Sequence, residues 1–375
     1  MSGPLHVYYG PEIQLYYFGP GHPFNQRRVE LAVELMRECG LFESGGNTLR
    51  PIRQATREEA LLFHTPQYVE FLTRASERGT GYLDRGDTPA FPGCLDAALW
   101  QVGAALSALD AVMGGEGHAF SPGGGTHHGY RDHAAGFCIL NDAAVALAVA
   151  RVRYGVRRAL YLDVDVHHGD GVFYGYEDDP WLLNIDFHQD GRTLFPGTGF
   201  VDEIGEGEAA GLKLNLPLLP GAGDDSALLG WREVGVPAIR AFRPELIVMQ
   251  CGADAHSGDP LAMLEWSLNP YAEIAASVHE LAHELCDGRL LLLGGGGYNP
   301  ANVCSAWPLI AFTVAGVPLP EEMPEDWRRS FEETYRRPAP TRFSEPPTTS
   351  TRALQATVRC IEELKAASPL LGASA

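Results

Sequence analysis

Three aspartates and two histidines fall within the eight residues from Asp163 to Asp170. They close the run Ala159-Leu160-Tyr161-Leu162-Asp163-Val164-Asp165-Val166-His167-His168-Gly169-Asp170-Gly171, which opens as an apolar strand. If strand alternation continues through it, Asp163, Asp165 and His167 share one face. Buried carboxylates stacked that way repel one another, and a divalent cation is the simplest remedy. Asp165 and His167 are therefore candidate metal ligands. A third ligand is available in Gln250-Cys251-Gly252-Ala253-Asp254, where another apolar run leads to Asp254. Two carboxylates and one imidazole leave a position open for water, as a catalytic metal requires. Asp254 on its own would read as a helix cap.

Two glycine-rich stretches supply further chemistry. Ser121-Pro122-Gly123-Gly124-Gly125-Thr126-His127-His128-Gly129 follows a short apolar run. Its glycines let backbone approach a site closely, and its paired histidines enter from a loop. An imidazole can take a proton from an attacking water and return it to a leaving group. Each histidine needs an acceptor on its other ring nitrogen, and Asp163 and Asp170 are the spare carboxylates. In Leu293-Gly294-Gly295-Gly296-Gly297-Tyr298-Asn299, the Tyr298 hydroxyl can donate to a developing oxyanion. A phosphate-binding reading of that loop lacks both a lysine and the GxGxxG spacing.

The elements that must position these residues alternate along the chain. Short apolar runs predict strands at Leu5–Tyr9, His118–Phe120, Arg158–Asp163, Leu182–Phe187, Glu245–Gln250 and Arg289–Leu293. Helical patterns cover Gln26–Glu38, Pro66–Ser76, Gly93–Met113, Asp142–Tyr154, Ser226–Phe242, Pro270–Cys286 and Ala301–Ala315. Strands apolar on both faces, alternating with helices, imply a parallel sheet covered on both sides. Ligands of such sheets sit beyond the carboxyl ends of the strands, where the three chemical segments fall.

The composition bounds the rest. A chain of 375 residues, 45% of them hydrophobic, is long enough for a large α/β core. A formal charge of −20 argues against nucleic-acid binding and favours cationic partners. Seven scattered cysteines without a CxxC pair suit a reducing compartment. The start, Met1-Ser2-Gly3-Pro4, has neither a basic nor an apolar leader segment, and no apolar stretch is expected to span a bilayer. A cytoplasmic enzyme without nucleic-acid or membrane partners is the expectation; the oligomeric state is not legible. The catalytic core is expected over residues 1–320. Residues 321–375 form a C-terminal extension, with a Pro-rich linker and a last helix near Arg352–Ala366 packing on the same domain.

In this order the motifs resemble those of the zinc-dependent histone deacetylase superfamily, and more narrowly the bacterial acetoin-utilization type. The resemblance is carried by Leu62-Phe63-His64-Thr65-Pro66-Gln67-Tyr68, Pro122–His128, Gly136-Phe137-Cys138-Ile139-Leu140-Asn141-Asp142, Asp163–Gly171, Phe195-Pro196-Gly197-Thr198-Gly199, Gly252-Ala253-Asp254 and Gly295–Tyr298. It covers roughly residues 5–315. It implies an arginase/deacetylase fold, one α/β domain on a mainly parallel eight-stranded sheet. It implies Zn2+, or Fe2+, on Asp165, His167 and Asp254. His127 would be backed by Asp163 and His128 by Asp170, with His128 the general base and acid and His127 tuning the electrostatics. Tyr298 would polarise the acyl carbonyl. Gly136, Phe137 and Phe195 would line a narrow tube for an acyl-lysine stem. Asp87 would hold substrate backbone at the rim, Leu261 would be an apolar rim residue, and Arg28 would sit in an inner cavity. A structural K+ or Na+ ion is also implied. The family commonly has a small hydroxyl residue at that cation site; here the position is Asp186.

The expected reaction is removal of acetyl groups from lysine side chains of proteins, acetylated metabolic enzymes such as acetyl-CoA synthetase among them. Alternatives are deacetylation of small acetylated amines, a two-metal ureohydrolase, and a catalytically silent binding protein. Leu261, standing where acetylpolyamine deacetylases carry an acidic gatekeeper, argues against the first. The paired histidines and Tyr298 suit one metal better than two. The complete set of ligands, His pair and Tyr298 argues against a silent protein.

Overall fold

The computed structural model describes residues 3–372. Met1 and Ser2 of the start, and residues 373–375 of the extension, lie outside them. Eight strands form one sheet: β1 (Leu5–Tyr8), β2 (Thr48–Arg50), β3 (His118–Ser121), β4 (Ala159–Asp163), β5 (Leu182–Gln189), β6 (Lys213–Leu218), β7 (Leu246–Gln250) and β8 (Leu290–Leu293). Their spatial order is β2-β1-β3-β8-β7-β4-β5-β6. Every neighbouring pair is parallel, so the sheet is wholly rather than mainly parallel.

Alternation within the strands builds two cores. Leu160 and Leu162 of β4 face one cluster, with Val29, Leu281 and Trp307 from helices Arg27–Glu38, Leu268–Leu285 and Pro300–Ala315. Ala159 and Tyr161 face the other, with Leu106 and Leu147 from helices Cys94–Met113 and Asp142–Tyr154. Both faces are thus dry, as continuous apolar strands require. The helix Cys94–Met113 is long and apolar enough to cross a membrane, contrary to the expectation that no such stretch exists. Most of it is buried in the second core.

Two strands escape the sequence pattern. β2 is only three residues long at one edge. β6, Lys-Leu-Asn-Leu-Pro-Leu, is the other edge, where Pro217 costs no ladder hydrogen bond. Its Lys213 is fully buried, and Nζ donates to the carbonyls of Asp179 and Leu182 at 3.0 and 2.6 Å. The segment predicted as one helix over Ser226–Phe242 is helical from Asp224, but Trp231–Gly235 is a π-turn between two α-helical pieces. Beyond residue 320, a helix at Glu325–Tyr335 docks Trp327, whose Nε1 donates to the Leu31 carbonyl at 2.9 Å. The last helix, Thr351–Ala367, buries Ala353, Cys360 and Leu364 in the first core.

Candidate active site

The four central strands, β3, β8, β7 and β4, end on the same side of the sheet, and each ends on a segment singled out by its chemistry. β4 stops at Asp163, so Asp165 and His167 do not continue a strand face as expected. The chain curls instead. The Asp165 N–H donates to Asp163 Oδ1 and the His167 N–H to Asp165 Oδ1, both at 3.0 Å. Each carboxylate bonds backbone two residues on, the aspartate turn that competes with a strand ladder.

Asp165, His167 and Asp254 each place one ligand atom within 4.8 Å of the other two, and all three are buried. His167 Nδ1 lies 3.1 Å from Asp165 Oδ1 and 3.3 Å from Asp254 Oδ2. Asp254 Oδ2 is buried without a hydrogen-bond partner, whereas Oδ1 accepts the Val166 N–H at 2.8 Å. Asp165 Oδ2 accepts from Gln250 Nε2 at 2.8 Å and the Gly296 N–H at 2.7 Å. Side chains at 252 or 296 would run into these carboxylates, so glycine is required at both. Burial opposes charge on His167, but the two carboxylates outweigh it and push its pKa up to about 10. Burial and the Asp165 charge push Asp254 up to about 7. This donor set, with its orphaned carboxylate oxygen, fits a divalent ion.

The paired histidines face the trio. His127 Nδ1 lies 2.8 Å from Asp163 Oδ2, and His128 Nδ1 lies 2.6 Å from Asp170 Oδ1. Their Nε2 atoms approach each other at 3.0 Å. The Tyr161 hydroxyl donates to Asp163 at 2.7 Å and the Tyr130 hydroxyl to Asp170 at 2.9 Å, fixing both carboxylates. The environments split the two rings. Burial disfavours the charged form of each, but the Asp163 and Asp165 charges reverse this for His127 and raise it to about 10. Burial and the neighbouring His127 lower His128 to about 4. One imidazole is held charged and the other neutral, the pattern that assigns electrostatic and base roles.

Asn141 and Asp142 carry the loop that presents these histidines, a role not read from the sequence. Asn141 Nδ2 donates to the carbonyls of His127 and Gly129 at 2.9 Å. Asp142, fully buried, accepts from the N–H groups of Gly125 and Thr126 at 2.9 and 2.7 Å. Asp259 is a third such residue. It accepts the Tyr298 N–H at 2.7 Å and the Leu261 N–H at 3.0 Å, tying two predicted site residues to one carboxylate. Apart from Leu261, these partners are backbone groups twelve or more residues away, which no local spacing reports.

Tyr298 packs edge-on to His167 at 6.2 Å and to Phe137 at 5.8 Å between centroids. Among the described residues its hydroxyl makes no hydrogen bond to protein, and burial raises its pKa well above the ordinary value, so it stays a donor. Arg28, buried beneath, donates to the Gly297 carbonyl and to that of Gly295 at 2.8 Å, and stacks over the Tyr298 ring at 5.9 Å. Phe195 packs edge-on to His128 at 5.0 Å and is 42% exposed, as a wall reaching solvent must be. Gly136 has φ +53°, and a Cβ there would strike the His128 ring and Phe195. A cavity of about 740 Å3 opens above, lined by Asp84, Asp87, Tyr130, Gly136, Asp170 and Phe195. Burial on its protein side and the Asp84 carboxylate raise Asp87 to about 6, although its rim position leaves it exposed to solvent. His22 packs against Phe137 at 4.7 Å and bonds the Asp87 carbonyl at 3.2 Å. Leu261 is half-buried on the Asp259 loop, outside the lining of this cavity.

Asp186 lies inside β5. Its Oδ1 pairs with His188 Nδ1 at 2.6 Å and its Oδ2 accepts the Gly169 N–H at 2.8 Å. Although burial disfavours both charges, their mutual attraction lowers Asp186 and raises His188. The carboxylate already has an internal counter-charge and both oxygens are engaged. These residues do not fit the expected K+ or Na+ ion.

Residues 22–313 match the family described as "Histone deacetylase domain". An "Acetoin utilization protein AcuC" from Bacillus subtilis is 40% identical over 347 residues, spanning 90% of this chain and 89% of that protein. A "Histone deacetylase-like amidohydrolase" from Pseudomonas aeruginosa is 39% identical over 263 residues, 68% of this chain and 67% of that one. Among solved structures, a histone deacetylase homologue from Aquifex aeolicus aligns with a TM-score of 0.84 at 27% identity, covering 96% of this chain and 99% of its own.

Proposed function

Because the chain belongs to the histone deacetylase domain family, we propose that it is a metal-dependent hydrolase removing acetyl groups from the ε-amine of lysine in proteins. The reading is carried by the convergence of the Asp165–His167–Asp254 trio, the Asp-backed histidine pair and a Tyr298 hydroxyl without a protein partner among the described residues, next to a cavity that His128's partner Asp170 and its neighbours Gly136 and Phe195 line. Asp165, His167 and Asp254 would hold Zn2+ or Fe2+, which such ligands discriminate poorly. When bound, the cation supplies Lewis acidity toward the acyl carbonyl and lowers the pKa of an attacking water.

The chain's own groups supply the rest. Neutral His128 accepts the water proton at Nε2 and delivers it to the departing amine. His127, kept charged by Asp163, stabilises negative charge developing beside it. Tyr298 donates to the carbonyl oxygen as it gains charge. Phe137, Phe195 and Gly136 suit a methylene stem, which is apolar along its length. Asp87 accepts hydrogen bonds from substrate backbone at the rim, and the net charge of −20 favours basic peptides and a cationic product. The test compares rates on an acetyl-lysine peptide and on acetylputrescine. Faster turnover of the peptide supports the protein substrate, and preference for the small amine replaces it with an acetylpolyamine deacetylase.

A further inference from the structure

At the opposite end of the sheet from this site, three more histidines converge. His118 opens β3, and His279 and His283 stand one turn apart on helix Leu268–Leu285. Spacing of four puts both on one helix face. His118 Nε2 lies 3.1 Å from His283 Nε2, which lies 3.0 Å from His279 Nε2. One ligand atom from each lies within 4.8 Å of the other two. A neutral imidazole carries at most one proton on Nε2. His283 can direct it at one neighbour, which leaves the second contact without a linear hydrogen bond. A cation taking all three lone pairs resolves the arrangement.

We propose that His118, His279 and His283 form a second metal site, a three-imidazole site for Zn2+ or a similar borderline transition cation. The ligands are all nitrogen, which selects against Mg2+ and Ca2+. A cavity of about 280 Å3 bordered by His118, His283, Glu116 and Asp287 leaves a fourth position open to solvent, with acidic residues at its edge.

The ion would clamp the start of β3 to the helix that leads into β8, its sheet neighbour. It lies at the amino ends of the strands and takes no part in hydrolysis. It also changes how a metal count is read, because two ions per chain then arise without a two-metal catalytic cluster.

The test uses full-length wild type, His283→Ala and His279→Ala, each equilibrated with ZnCl2 and then assayed for zinc per chain by atomic absorption. His283 is exposed and His279 half-buried, so both variants spare the core. Two zinc ions in wild type and one in each variant are expected. Equal zinc contents in all three proteins overturn the assignment. Neither result depends on deacetylase activity, so failure here is distinguishable from failure of the proposed function.

Discussion

Replacing Tyr298 by Phe isolates one hydroxyl. The ring's edge contacts with His167 and Phe137 and its approach to the Arg28 guanidinium, 5.9 Å from the ring centroid, do not involve that oxygen. The residue is positioned through its backbone N–H, held by Asp259 at 2.7 Å. The hydroxyl has no protein partner among the described residues, so its loss leaves no buried group unsatisfied, and stability should change by no more than about 0.5 kcal/mol. Loss of one donor to a developing oxyanion costs about 2.7–4 kcal/mol in the transition state, roughly 10²–10³-fold in kcat. If the hydroxyl engages the carbonyl only as charge develops, KM stays near its wild-type value. The assay is steady-state release of acetate from an acetyl-lysine peptide, with metal content and Tm measured in parallel. A kcat within about tenfold of wild type, with metal and Tm unchanged, would refute the oxyanion role.

Other expectations follow from neighbouring contacts. Asp142→Ala removes a buried acceptor of two backbone N–H groups and should destabilise the protein by about 2–4 kcal/mol, read as a drop in Tm. Asp87, raised to about 6, is a carboxylate only above that pH; KM for a peptide should rise as pH falls through about 6, and Asp87→Asn should flatten that dependence. That shift bears on stability with the opposite sense: the folded pKa lies above the unfolded value, so Asp87's contribution is greatest at low pH and declines as pH rises from about 4 to 6. Exchanging K+ for Na+ or a bulky organic cation at constant ionic strength should leave the rate unchanged, because His188 already neutralises Asp186; a strong requirement for one cation would contradict the pairing. Asp259→Ala should lower kcat through the Tyr298 loop without loss of metal, measured as turnover and metal content together.

The sequence made the centre of the fold legible because β4, β7 and β8 are apolar up to their last residue and, with β3, lead into residues of unmistakable chemistry. The edges were harder to read. β6 carries Lys213, Asn215 and Pro217, which argue against a strand until its edge position and the carbonyls around Lys213 Nζ are known. The helix at Glu325–Tyr335 buries only Trp327 and Phe331, too narrow an apolar stripe to stand out beside a Pro-rich stretch. The ligand trio and the histidine pair were legible from residue type. Asp142, Asp259 and Gln250 were not, because Asp142 accepts the Gly125 and Thr126 N–H groups, Asp259 the Tyr298 N–H, and Gln250 donates to Asp165, partners that only the fold brings near. His118 and His283 were hidden by 165 residues of separation.

The proposed role of Asp165, His167 and Asp254 is to hold the cation on which hydrolysis of an acetyl-lysine amide depends. It is tested most directly by stripping the protein of metal and titrating Zn2+ or Fe2+ back while following acetate release from an acetyl-lysine peptide. Turnover absent without metal, restored by it, blocked by a hydroxamate and missing in Asp254→Asn is the predicted result. Metal-independent turnover, or no acetate from any acyl-lysine under either metal, would contradict it.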